Sequence, residues 1–300
     1  MKKLPYLLVV GAVTLAACGS GSGAVAATVN GEDLTVGQIE ALLDTGGATV
    51  SKDQFAQFLG FQIQWLIAEA AAKSDFGLEP TDDEITAEAD RIFNEVSADG
   101  ETRADFLSSR GFTEQFLRNY ARQSLLQTEI GDLYMADTPE PTQEEIDAQR
   151  DSSTSVCVSH ILVDTEQEAE DVMTRLDDGE DFATLATELS TDTGSAAAGG
   201  DLGCGAPGQY VESFSEAVKV APIGEVYDQI VESTFGFHVI LVTDRTVPTD
   251  EEATQLFKDD AVATQMQDWF LAAVEASDVT VNEEYGTWDS ASLSVVAPAS

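Results

Sequence analysis

Basic side chains are scarce in this chain. Lysine and arginine number 14 against 55 aspartates and glutamates, a formal net charge of −41 over 300 residues. Such a surface repels phosphate backbones and anionic lipid headgroups, so no nucleic-acid partner is expected. It fits a soluble surface in a medium whose salt screens the self-repulsion. Histidine is rarer still, with two copies, His160 and His238. No His-x-x-x-His or Cys-x-x-Cys spacing occurs, so no metal site is expected and no cofactor is implied. No Gly-x-Ser-x-Gly elbow is present, which removes one hydrolase signature. Gly199-Gly200 is not followed by Gly-Lys-Ser/Thr, so it is not a phosphate loop. The apolar stretch Leu4–Ala17 is too short for a bilayer span, which takes about 20 residues.

What is present begins with a processing signal. Lys2 and Lys3 precede Leu4–Ala17, and Leu15-Ala16-Ala17-Cys18-Gly19 resembles a bacterial lipoprotein signal. In such proteins the peptide over 1–18 is cut before the cysteine, so Cys18 would carry the lipid. The alternative is a plain secretory signal ending in small residues. Residues 19–27, opening Gly19-Ser20-Gly21-Ser22-Gly23, read as a flexible tether with an end-to-end distance of roughly 17 Å. Export places the two remaining cysteines, Cys157 and Cys204, in an oxidising compartment, where an even pair is expected to bridge. A loop of about 47 residues closed this way contributes roughly 4 kcal/mol in the chain-entropy model. Two buried free thiols are the alternative.

Three hundred residues with 43% hydrophobic content suggest two domains with ordinary cores. Helix starts recur as capping boxes: Thr35/Gln38, Ser51/Gln54, Thr81/Glu84, Thr142/Glu145 and Thr249/Glu252. Ile85, Ala89, Ile92, Phe93 and Val96 fall on one face at spacings of three and four. After a strand and Asn-Gly turn near 27–35, residues 28–149 read as a helical domain. The polar run Asp151–Ser155 marks a boundary. Residues 150–247 then alternate differently: strand Val156–Val163, helices Glu166–Asp178 and Phe182–Leu189, a Gly-rich connection Gly194–Gly208, a helix Ser213–Val220, and strands Val226–Val231 and Val239–Val242. Helices with a few antiparallel strands predict an α+β domain. A helix within 248–280 cannot fold alone and must pack back on the first helical block. Residues 281–300 read as an ordered patch followed by a fraying tail.

The second domain carries the chemistry. His160 ends Val156-Cys157-Val158-Ser159-His160, and His238 begins His238-Val239-Ile240-Leu241-Val242. Between them lie Ser190-Thr191-Asp192-Thr193-Gly194-Ser195 and Gly199-Gly200-Asp201-Leu202-Gly203. This arrangement resembles the parvulin family of peptidyl-prolyl cis-trans isomerases over roughly residues 155–245. With helices on both sides of the inserted domain, the layout resembles the PrsA and SurA types of extracytoplasmic chaperone. The resemblance implies an α+β fold: a mostly helical chaperone domain with an inserted parvulin-like domain.

It also implies roles. His160 and His238 would sit on adjacent strands and hydrogen-bond each other; as bare residues they could equally be core histidines. Asp192 would lie beside them, with burial expected to raise its pKa against any protonated histidine; Asp192-Thr193-Gly194 is also good turn chemistry. Ser233 would supply a hydroxyl, or only a strand-end hydrogen bond. Leu202, Tyr210 and Phe214 match the proline pocket, where the family often has Met at the position of Tyr210; as apolar residues they could also be plain core. The loop Val163-Asp164-Thr165-Glu166-Gln167 is acidic, where phosphate-requiring relatives are basic, so no phospho-dependence is expected. The resulting expectation is a rotamase acting on unfolded or nascent exported polypeptides containing proline, held to the extracytoplasmic face of the membrane by lipid on Cys18. The alternative is a holdase that works through its helical domain and uses the second domain to bind peptide. The oligomeric state is not legible.

Overall fold

The computed structural model describes residues 23–46 and 50–298. The signal peptide, Cys18 and the first tether residues lie outside the described residues. The chain forms two compact units, one from residues up to Asp137 together with Val262–Ser300, the other Thr138–Ala261.

The first unit contains β1 (Val25–Val29), β2 (Glu32–Thr35), α1 (Val36–Glu40), α2 (Lys52–Phe76), α3 (Asp82–Val96), α4 (Arg103–Ser108) and α5 (Glu114–Asp137). Capping boxes start α1, α2 and α3, each with the Ser or Thr hydroxyl accepting from the third helical N–H. Gly77, with φ of 71°, ends α2 in a left-handed cap. The core packs Ile39, Phe58, Leu59 and Ile63 against Ala26, Val29 and Val274.

Two sequence expectations change here. The tether is shorter than 19–27, because Val25–Val29 is a strand whose Ala26 and Ala27 are buried. The block is also not purely helical. β1 pairs with β2 on one side and with β7 (Val279–Val281), from the far end of the chain, on the other.

The second unit comprises α6 (Gln143–Ser153), β3 (Ser155–Val163), α7 (Glu166–Asp177), α8 (Phe182–Leu189), β4 (Asp201–Gly205), α9 (Glu212–Val220), β5 (Val231–Ser233) and β6 (Gly236–Thr246), and ends inside α10 (Asp250–Ala276). The polar run at 151–155 covers the end of α6 and the start of β3, and the unit begins at Thr138 rather than 150. Its sheet is antiparallel in the order β4-β3-β6-β5. Val156, Val158, Ile240 and Val242 face α9, packing on Phe214, Ala217 and Val218. Ile161, Val163 and Val239 face α7 and α8, packing on Val172 and Leu185. Both central strands are thus buried on both faces.

The Gly-rich connection contains a strand that its composition hid. β4 pairs with β3, and the stretch before it is threaded by Gly199 and Gly200 at φ of 72° and 84°. The expected strand Val226–Val231 shrinks to Val231–Ser233, with Val226 making only an isolated bridge to Leu241.

In α10, residues from Val262 onward cluster with the first unit, where Phe270, Ala273 and Val274 pack on its core. The described part of the expected tail is structured. β8 (Thr287–Asp289) and β9 (Ser294–Val296) form a hairpin against α2, and Val295 is buried. Gly60 on α2 makes that approach possible, since a Cβ there would lie 3.3 Å from the Val295 amide nitrogen. Among the described residues no helix is long and apolar enough to cross a membrane.

Candidate active site

Strand register brings the histidines together. His160 pairs with Ile240 and His238 with Leu162, so the two rings are diagonal neighbours on one face of the β3–β6 ladder. Both side chains continue the apolar row facing α9 and are 5% and 4% exposed. Gly200 makes this local path possible: its carbonyl accepts from the His160 amide at 2.9 Å, and a Cβ on it would lie 2.3 Å from the His160 carbonyl oxygen. The Arg245 guanidinium donates to the Val218 carbonyl, at 3.1 and 2.8 Å, and to that of Ala221, tying the end of α9 to β6. This holds Phe214 against the imidazoles. Its ring lies near-perpendicular to His160 at 5.6 Å and to His238 at 5.1 Å.

A continuous hydrogen-bonded relay runs through the pair. Nδ1 of His160 lies 3.0 Å from Nδ1 of His238. Nε2 of His160 lies 2.8 Å from Oδ2 of Asp192, and Nε2 of His238 lies 2.7 Å from the Ser233 hydroxyl. Ser195 donates its hydroxyl to Asp192 Oδ2 at 2.5 Å, and the Gly194 amide donates to Oδ1 at 3.0 Å.

The direction of every proton follows from Asp192. Its pKa is lowered to about 2 by the hydrogen bonds from Ser195 and then His160, which outweigh burial. The expected rise from desolvation is overturned, because the carboxylate is only half-buried and three donors converge on it. An ionised carboxylate only accepts, so His160 must donate from Nε2. With Nδ1–H of His238 as the donor, Nδ1 of His160 accepts across the pair. The remaining nitrogen of His238, Nε2, accepts from the Ser233 hydroxyl, whose oxygen accepts from the Phe235 amide at 3.0 Å. Every member of the relay then has a partner, with His238 neutral. Burial, helped by the neighbouring His160 and opposed by Asp192, keeps His238 in that state by lowering its pKa to about 4.

The remaining residues named from sequence are close by. Leu202 and Tyr210 are half-buried and pack on the cluster that contains Phe214, with the Tyr210 and Phe214 rings 4.9 Å apart. Cys157 and Cys204 are opposite each other in the β3–β4 ladder and joined by a disulfide. Cys18 lies outside the described residues. Sequence reading gave no role to Ser195, which is buried and holds Asp192. Its signal was local, a serine three residues after an aspartate in the same turn. Among the described residues no group of three or more His, Cys, Asp or Glu is placed to hold a metal ion.

Residues 145–246 match the model of the PPIC-type PPIase domain family. The foldase protein PrsA of Halalkalibacterium halodurans is 35% identical over 220 residues, covering 69% of this chain and 65% of that protein, just under two thirds of its length. The protein of that name in Geobacillus kaustophilus is 34% identical over 212 residues, covering 69% of this chain and 71% of the relative. That of Oceanobacillus iheyensis is 32% identical over 253 residues, covering 84% and 77%. The chain belongs to the PrsA foldase family and carries a PPIC-type peptidyl-prolyl cis-trans isomerase domain.

Proposed function

We propose that this protein isomerises X–Pro bonds in exported polypeptides at the cell envelope, with the Asp192–His160–His238–Ser233 relay as its catalytic centre. The barrier to amide rotation is about 20 kcal/mol because resonance must be broken. No proton has to leave and no covalent bond has to form. The planar amide has the larger dipole and is better solvated, so a water-poor cradle favours the twisted state by comparison. Leu202 and Phe214 supply the apolar wall, with the Tyr210 ring packed on Phe214. His160 and His238 form its polar side, and their complete hydrogen bonding keeps them from collapsing onto other partners.

Ser233 is the member of the relay nearest a visible concavity of about 410 Å³, lined by Val211, Glu212, Ser213, Glu216, Ser233 and Thr234. Peptide running past the proline has a path there. Lipid on Cys18 holds the folded body to the extracytoplasmic face of the membrane in this reading.

The single observation that carries the proposal is the buried histidine pair locked between an ionised carboxylate and a hydroxyl. The test is isomerisation of a prolyl tetrapeptide by the mature chain, beside His238→Ala and Asp192→Ala. A loss of tenfold or more in kcat/KM in both variants is expected. Wild-type activity equal to the uncatalysed rate would refute the proposal.

A further inference from the structure

Three side-chain atoms among the described residues are buried without a hydrogen-bond partner: Gln62 Nε2, the Tyr285 hydroxyl and the Tyr210 hydroxyl. Tyr210 alone stands at the site. Its ring packs 4.9 Å from that of Phe214, with the planes tilted by 46°. Phe214 is in turn only 2% exposed, although it is the surface that a prolyl ring beside the histidines would have to contact. The floor of the cradle is therefore covered, and Tyr210 is part of the cover. The cover is uncomfortable for its own hydroxyl. Burial pushes the Tyr210 pKa up, and the charge of Asp201 adds to that. The Gln209 side chain acts in the opposite sense but does not meet hydrogen-bond geometry. That carboxamide lies across Gly205, where a Cβ would come within 2.6 Å of its nitrogen.

We propose that Tyr210 is a gate on the proline cradle: its ring packs on Phe214 and turns aside to admit a prolyl ring. Two contributions oppose each other. Closing buries aromatic surface and gains a ring–ring contact. It also strands a hydroxyl away from water, a cost of similar size. A gate requires two positions close in energy, and these opposed contributions act in that direction. Tyr210 follows a short 3₁₀ turn, Pro207–Gln209, and precedes α9 in extended backbone, with φ of −95° and ψ of 164°. Its side chain is thus outside any helix that would hold it.

The inference rests on the isomerase reading, and kinetics on the full mature chain separate the two. Tyr210→Phe removes the stranded hydroxyl and leaves the cover, so the closed position deepens. KM for a prolyl tetrapeptide should rise roughly three- to tenfold, with the change on KM more than on kcat. The unfolding midpoint should rise as well, because an unpaired buried group is gone. Tyr210→Ala removes the cover, and KM should fall below the wild-type value. A tyrosine that is only a fixed wall predicts the reverse for alanine. An active wild type with Tyr210→Phe unchanged in KM, or with Tyr210→Ala weaker in binding, overturns the gate and leaves the isomerase reading standing. An inactive wild type removes both. If the alanine variant does not fold, the phenylalanine variant decides alone.

Discussion

Buried neutral histidine makes the second unit acid-sensitive, and the size of the effect follows from one residue. His238 is 4% exposed, and its pKa falls from 6.5 to about 4. The unfolded chain therefore binds a proton that the folded chain refuses between those two values, and stability is lost as pH falls through that window. At pH 7.5 both states are neutral and nothing is lost. At pH 5 the unfolded histidine is charged and the folded one is not. With one pKa unit worth 1.36 kcal/mol, His238 then costs about 2 kcal/mol relative to pH 7.5. This is an upper bound, since the half-buried Asp192 and Ser233 leave a screened path to solvent. Asp192 adds nothing in that range, because its folded pKa of about 2 and its ordinary value of 3.8 both lie below pH 5. The assay has to report on the second unit. Trp65, Trp269 and Trp288 all lie in the first, so tryptophan fluorescence would follow the wrong one. Hydrogen exchange of the β3 and β6 amides, corrected for its intrinsic pH dependence, reads the opening free energy directly. Wild type should lose about 2 kcal/mol more than His238→Gln between pH 7.5 and 5. Equal losses in the two proteins, within a few tenths of a kcal/mol, would refute a buried neutral His238.

Two further outcomes are expected. Reducing the Cys157–Cys204 disulfide frees a 47-residue loop in the unfolded chain, and should cost the second unit up to about 4 kcal/mol in urea titrations followed by β3 exchange; matched curves with and without a thiol reductant would show that the bond contributes nothing. Gly200→Ala places a Cβ 2.3 Å from the His160 carbonyl oxygen at a φ of +84°, and should destabilise the unit by about 2 kcal/mol or more while lowering kcat/KM; an alanine variant with wild-type stability and activity would contradict the close approach.

Much of the helical framework was legible because its signals are local. A Ser or Thr three residues before Glu or Gln starts a helix by a contact within four residues. Such pairs open α2, α3 and α6 where the sequence places them. The histidine strands were legible for a related reason, since two short apolar runs, one ending and one beginning with the rarest residue type, stand out in any reading. β1 was read as a strand, but β7 and its pairing with β1 were not, because the pairing joins segments about 250 positions apart. β4 was hidden by glycines, which weaken a strand's pattern and which this stretch needs in order to pass close to β3.

By itself the sequence determined the acidic character of the chain, most helix starts and the identity of the groups at the site. Tertiary structure alone decided their state. Whether a carboxylate is ionised or protonated depends on how many donors reach it, and the turn that turns Ser195 and Gly194 toward Asp192 supplies enough to reverse the expected shift. Whether an imidazole is charged depends on what surrounds it on all sides, and for His238 those surroundings come from β3, α9 and β5. Composition and spacing carry the donors and acceptors; only the packed chain fixes which of them meet, and so which way each proton points.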